Sequence, residues 1–155
     1  MTLIPQYKLC VSSNLQRARA PKLDNTGMVT DFRHLEWLKK WINEYIDHQF
    51  IIDKNDPLFT RMLGEKVDLV PIFVPDTDHV AGWHIHPLYF ANMNGPEQEY
   101  YEGFMIVNFV PTSENLSAWM AELVQAKMKK LGVTVHHIDW WETPKSRSVF
   151  YRDGV

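Results

Sequence analysis

Apolar and polar residues alternate in "QYKLCVSS" (Gln6 to Ser13), with Tyr7, Leu9 and Val11 set against Gln6, Lys8 and Cys10. That period of two predicts a half-buried strand. From Phe32 to Ile46 the period lengthens. In "FRHLEWLKKWINEYI", Leu35, Leu38, Ile42 and Tyr45 recur at three-to-four spacing with Trp41 and Ile46 beside them, while Glu36, Lys39, Lys40 and Asn43 lie opposite. This predicts an amphipathic helix, with Asp31 at the N-cap position. A second helix is predicted from "PTSENL" (Pro111 to Leu116). Thr112 or Ser113 can cap its first turn, and Glu114 suits its positive end. Its apolar stripe is Leu116, Met120, Leu123, Val124 and Leu131, and Gly132 ends it. "VTVHHIDWWET" then alternates as a strand, and "SRSVFYR" reads as a last one. On an alternating strand His136 and His137 face opposite sides, which argues against joint metal ligation.

Between the two helices the pattern is weaker. "VDLVPIFV" is strand-like, and its Pro71 predicts an edge or a break. "DTDHVAGWHIHPLYFANMNGPEQEYYEG" is rich in Gly, Pro and Asn and reads as a long loop, whereas "FMIVNFV" reads as a buried strand. No internal repeat or low-complexity tract interrupts the chain. The expectation is one domain over residues 1–155 with an insert at about 53–102, of α+β class, its two helices on one face of an antiparallel sheet.

Composition narrows the function. The chain has 155 residues, 45% of them hydrophobic, enough for a real core. A net charge of −3 offers no basic surplus for a phosphate backbone, so nucleic acid is not the expected partner. The basic runs "QRARAPK" and "KMKK" read as solvated faces. Cys10 is the only cysteine, which excludes an intrachain disulfide and suits a reducing compartment. No signal peptide and no membrane-length apolar run are seen, and the expected location is cytoplasmic.

The chemistry starts from "YIDHQF", where Asp47 and His48 stand side by side just after the first helix. A carboxylate beside an imidazole can set its tautomer and basicity for proton transfer, although a polar helix exit looks the same in sequence. Four pieces in order, "GMVTDF" (Gly27 to Phe32), "IDHQF" (Ile46 to Phe50), "PTSENL" (Pro111 to Leu116) and "WET" (Trp141 to Thr143), resemble the tunnelling-fold pterin synthases. That family includes 6-pyruvoyltetrahydropterin synthase and 6-carboxytetrahydropterin synthase. The resemblance implies that Asp47 and His48 form a proton-moving pair and that Glu142 clamps the pterin edge. It also makes Thr112 and Ser113 substrate-binding candidates. A carboxylate such as Glu142 can accept two parallel N–H bonds from an aminopyrimidinone. Further implications are 7,8-dihydroneopterin triphosphate as substrate, a place in the route to 7-deazaguanine compounds, and a homo-oligomer with sites between subunits.

The sequence departs from that family at its zinc site. The resemblance implies catalytic zinc on three N-terminal histidines and a catalytic cysteine close by. Tyr7 aligns just after that site, and the residues before it, "TLIPQ", hold no histidine. Cys10 does not match the catalytic cysteine. Three readings stay open: a shortened form lacking the first strand, a homologue that binds a pterin or purine or only assembles, and a metal site rebuilt from other residues. For the last, "DHVAGWHIHPL" offers His79, His84 and His86, the latter two spaced to share a strand face.

Overall fold

The computed structural model describes residues 6–13, 35–47, 49–143 and 145–152, with the backbone alone at 6–13, 142 and 143. The order is β1 (Gln6–Ser13), α1 (Glu36–Tyr45), β2 (Phe50–Asp53), α2 (Pro57–Leu63), β3 (Leu69–Phe73), β4 (Val80–Ile85), α3 (Gly95–Glu102), β5 (Phe104–Val107), α4 (Ser113–Met128), β6 (Val133–Thr143) and β7 (Ser146–Tyr151). The expected α+β class holds, and the predicted strands at both ends and both helices are present. Asp31 lies outside the described residues. Among those residues no helix is long and apolar enough to cross a membrane.

The strands form two sheets: an antiparallel one in the order β1-β6-β7 and a second in the order β2-β5-β4-β3. The helical stripes are the ones the periodicity predicts except at Leu131, which lies beyond α4 and is 48% exposed. Leu38, Trp41, Ile42 and Ile46 from α1 join Leu116, Met120, Leu123 and Val124 from α4 in the main core. Val133, Val135, Ile138 and Trp140 of β6 enter that core from the first sheet, and Ile72, Ala81, Met105 and Val107 enter it from the second. The two helices are therefore shared by both sheets. Trp119 of α4 fixes the second contact by donating its indole N–H to the Ala81 carbonyl at 2.7 Å.

The stretch from Asp76 to Gly103 is not a loop, since it holds β4 and α3, and the insert supplies β3 and β4 of the second sheet. In that sheet β5 runs parallel to β2 and is buried along its whole length. Met105 and Val107 face the helices, while Phe104 and Ile106 face a second core with Phe59, Leu63 and Phe90. Continuous apolar character is what a strand covered on both faces requires. The Gly and Pro content that suggests a loop has other causes. A Cβ on Gly82 of β4 would lie 2.6 Å from Met105 Cε and 2.7 Å from the Ile106 carbonyl oxygen. Pro57, Pro87 and Pro96 stand in the first turns of α2, of a 3₁₀ turn (Pro87–Phe90) and of α3, where a missing N–H costs nothing. Pro71 does lie on an edge strand, β3. Gly82→Ala is expected to destabilise the protein by about 2 kcal/mol, because the backbone oxygen cannot step aside as a side chain can. Urea denaturation checks this, and an unchanged midpoint would contradict the close approach.

The turn between β3 and β4 is tied to the far end of α4. Asp76, with a left-handed φ of 58°, takes Lys127 Nζ on Oδ2 at 2.7 Å, and Lys130 Nζ reaches its carbonyl oxygen at 3.0 Å. The hydrogen bond from Lys127, and then its charge, hold the Asp76 carboxyl below the usual carboxylate range. A lowered folded-state pKa adds stability above the ordinary carboxylate pKa, and that part is lost as pH falls through the folded value. Asp76→Asn should therefore lower the melting temperature slightly at about pH 7, with a difference that shrinks as pH falls below the ordinary carboxylate range. A difference that persists in acid would assign the effect to backbone strain instead.

Candidate functional site

α4 begins with an N-cap that the sequence predicts. Thr112 Oγ1 accepts the Asn115 N–H at 3.2 Å, and the Asn115 side-chain amide donates back to the Val110 carbonyl at 2.9 Å. Ser113 Oγ receives a hydrogen bond from Ser148 Oγ of β7 at 2.7 Å. This Ser113–Ser148 bond locks the first turn of α4 to the first sheet, and periodicity gives no sign of it. Ser148 pairs in register with Trp140 of β6. Two residues beyond Trp140 the β6–β7 register slips, with Trp141 opposite Arg147 and Thr143 opposite Ser146. Glu142 is the extra residue at that slip. Thr112, Ser113 and the Glu142 backbone are thus brought to one end of the molecule, where the positive end of a 16-residue helix also points.

Asp47 lies at the close of α1. α1 closes without glycine, because the Ile42 carbonyl accepts both the Ile46 N–H (2.9 Å) and the Asp47 N–H (2.8 Å). The second of these is the six-to-one bond of a helix stop. Phe50 follows at once and pairs with Phe104 at the start of β5, whereas Thr112 follows the end of β5. Asp47 and Thr112 therefore border opposite ends of a strand that rises about 10 Å. His48 lies outside the described residues.

The three metal candidates do not converge. His79 sits before β4, its N–H bonded to Thr77 Oγ1 and its carbonyl accepting the Val74 N–H. His84 lies near the other end of β4 and lines a pocket of about 160 Å³ with Phe90 and Glu102. His86 has left the strand and caps the 3₁₀ turn, Nδ1 accepting the Leu88 N–H at 3.1 Å. It lines a different, open cleft of about 620 Å³ with Glu65, Lys66, Asp68 and Tyr89. That cleft is the larger of the two, yet Thr112 and Ser113 are not among its lining residues. No group of three or more His, Cys, Asp or Glu among the described residues is placed to hold a metal ion, so these donors do not fit zinc.

The expectation that His136 and His137 face opposite sides is corrected by a bulge. Along β1–β6, Cys10 pairs with His137 and Val11 with Val135, which leaves His136 as an extra residue. Burial changes phase across it, from Val133 and Val135 to Ile138 and Trp140. A bulge of this kind re-aims side chains. His136 Nδ1 and His137 Nδ1 are 2.7 Å apart.

The family model for 6-pyruvoyl tetrahydropterin synthase matches residues 14–153. The 6-carboxy-5,6,7,8-tetrahydropterin synthase of Aquifex aeolicus (strain VF5) is 26% identical over 134 residues, covering 83% of this chain and 63% of that protein. The chain thus spans just under two thirds of the length of that curated relative. Among solved structures, an uncharacterized protein from Wolinella succinogenes is 39% identical with a TM-score of 0.76, covering 86% of this chain and 72% of that one. The 6-pyruvoyl tetrahydropterin synthase of Plasmodium vivax aligns at 13% identity with a TM-score of 0.46, covering 84% of this chain and 72% of that one.

Proposed function

Because this chain belongs to the 6-pyruvoyl tetrahydropterin synthase family, we propose that it is a 6-carboxytetrahydropterin synthase-like protein that takes 7,8-dihydroneopterin triphosphate. The match over residues 14–153 carries this reading, and the curated relative favours the carboxy over the pyruvoyl branch. The capped start of α4 beside the end of β6 supports it. In this reading Glu142 accepts the two N–H groups of the pterin edge, and Thr112 and Ser113 line the same end. His48 moves the proton, and Asp47 orients and polarises it.

Asp47 and Thr112 border opposite ends of β5, which supports a site divided between copies. A homo-oligomer with sites between subunits would bring the Asp47 end of one copy to the Glu142 end of another. Zinc, where bound in this family, stabilises negative charge developing on side-chain oxygens. His79, His84 and His86 do not gather into a site for it.

That misfit favours a second reading, a homologue that binds a pterin or purine without converting it. Chromatography of 7,8-dihydroneopterin triphosphate incubated with the purified chain, alongside calorimetry of its binding, separates the two. Loss of triphosphate with a new pterin product supports the synthase. Saturable binding without product supports the second reading, and neither binding nor product would refute both.

A further inference from the structure

We propose that the bulge in β6 builds a second, separate site: a chelate for a late first-row divalent metal ion, made by His136 and His137. Neither residue belongs to the pterin end of the protein.

The argument starts from the short separation. Two imidazole nitrogens 2.7 Å apart share one hydrogen, so one Nδ1 donates and the other accepts. A metal ion takes the lone pair of both. The donor ring then carries its hydrogen on Nε2 instead, and no proton is gained or lost by a neutral pair. Two nitrogens at about 2.0–2.1 Å from a tetrahedral ion stand about 3.3 Å apart. The pair must open by about 0.6 Å, within the reach of small side-chain rotations.

The surroundings suit the exchange. His137 Nε2 faces Asp139 Oδ1 at 3.7 Å, and Asp139 is only 7% exposed. A buried carboxylate behind the outer nitrogen of a ligating histidine fixes the ring and strengthens it as a donor. Arg147 Nη1, at 3.8 Å from the other Asp139 oxygen, balances that charge. Tyr151, opposite His137 in the β6–β7 register, lies against the His137 ring with centroids 5.0 Å apart and planes tilted by 36°. Both histidines are half-buried, so solvent can supply the remaining ligands. Two imidazoles with open positions suit copper(II), nickel(II) or zinc(II), with copper(II) bound most tightly.

Copper(II) and zinc(II) are the probes, titrated calorimetrically into the full chain carrying His84→Gln and His86→Gln, which removes the other paired histidines. One ion per chain is expected. His136→Gln or His137→Gln should weaken binding by roughly 100-fold, and Asp139→Asn by about tenfold. No binding by about 100 μM metal, or binding unchanged in both histidine variants, would overturn the proposal. Should those variants fail to fold, the copper(II) electron paramagnetic resonance spectrum of the His84→Gln/His86→Gln protein decides. Superhyperfine structure from two imidazole nitrogens supports the chelate, and any other pattern overturns it.

Discussion

Glu142→Gln is expected to weaken binding of 7,8-dihydroneopterin triphosphate about 100-fold while leaving the circular dichroism spectrum and melting temperature near their original values. A carboxylate offers two acceptors, and the edge of a 2-aminopyrimidinone offers two donors side by side. The amide of glutamine keeps one acceptor and turns a donor toward the other pterin N–H. One charge-assisted bond is lost and one repulsive contact appears, together about 3 kcal/mol. The fold should not suffer, because Glu142 is the extra residue where the β6–β7 register slips and is not needed to continue the ladder. Glu142→Asp keeps the charge on a shorter arm and should fall between the two. Calorimetry with the triphosphate, in proteins of matched melting temperature, provides the measurement. Equal affinity for the parent and the Gln variant would remove Glu142 from the site.

How much of this was legible in the chain depends on which residues carry the signal. α1 and α4 bury one face each, so their stripes follow the helical period, although α4 gives way to a 3₁₀ turn (Lys129–Leu131) before Gly132. The strands at the two ends show through their alternation. β4 and α3 were hidden because their punctuation residues serve packing and helix starts. Gly82 is in β4 to admit the Ile106 backbone, and Pro96 follows the Asn94 N-cap of α3. The pairs Asp56-Pro57 and His86-Pro87, a capping side chain followed by proline, carried the start signal in plain view.

The candidate site was legible only in parts. Thr112 could be identified as a cap from its place before an apolar run, and it is one. The lock between Ser113 and Ser148 could not, since it joins residues 35 apart in sequence by a side-chain bond. The bulge left a trace that simple alternation overrode. Val133 and Val135 share one parity, Ile138 and Trp140 the other, and both pairs are apolar. A single face can hold all four only if one residue between them is extra. That residue is His136, and the same slip that keeps the core continuous sets two imidazoles side by side.

Trp140→Ala should produce the largest loss of stability, about 3–5 kcal/mol, with a fall in melting temperature of roughly 10–15 °C. Trp140 is 1% exposed in the core between the first sheet and α4. Against a typical total of about 5–15 kcal/mol, that loss leaves the variant folded only in part at elevated temperature. Trp140→Phe should cost less than half as much. The indole N–H is buried with no hydrogen-bond partner among the described residues, so removing it forfeits no bond and offsets part of the lost packing. The two variants also separate stability from function. Trp140 lies opposite Ser148, which holds Ser113 and with it the start of α4. Truncation to Ala should let that turn move and weaken pterin binding even at temperatures where the protein is folded, whereas Phe should keep the wall and the affinity. Thermal melts and calorimetry at about 15 °C test both points. An Ala variant that melts within about 2 °C of the parent would mean that α4 is held to the sheet by something other than this ring.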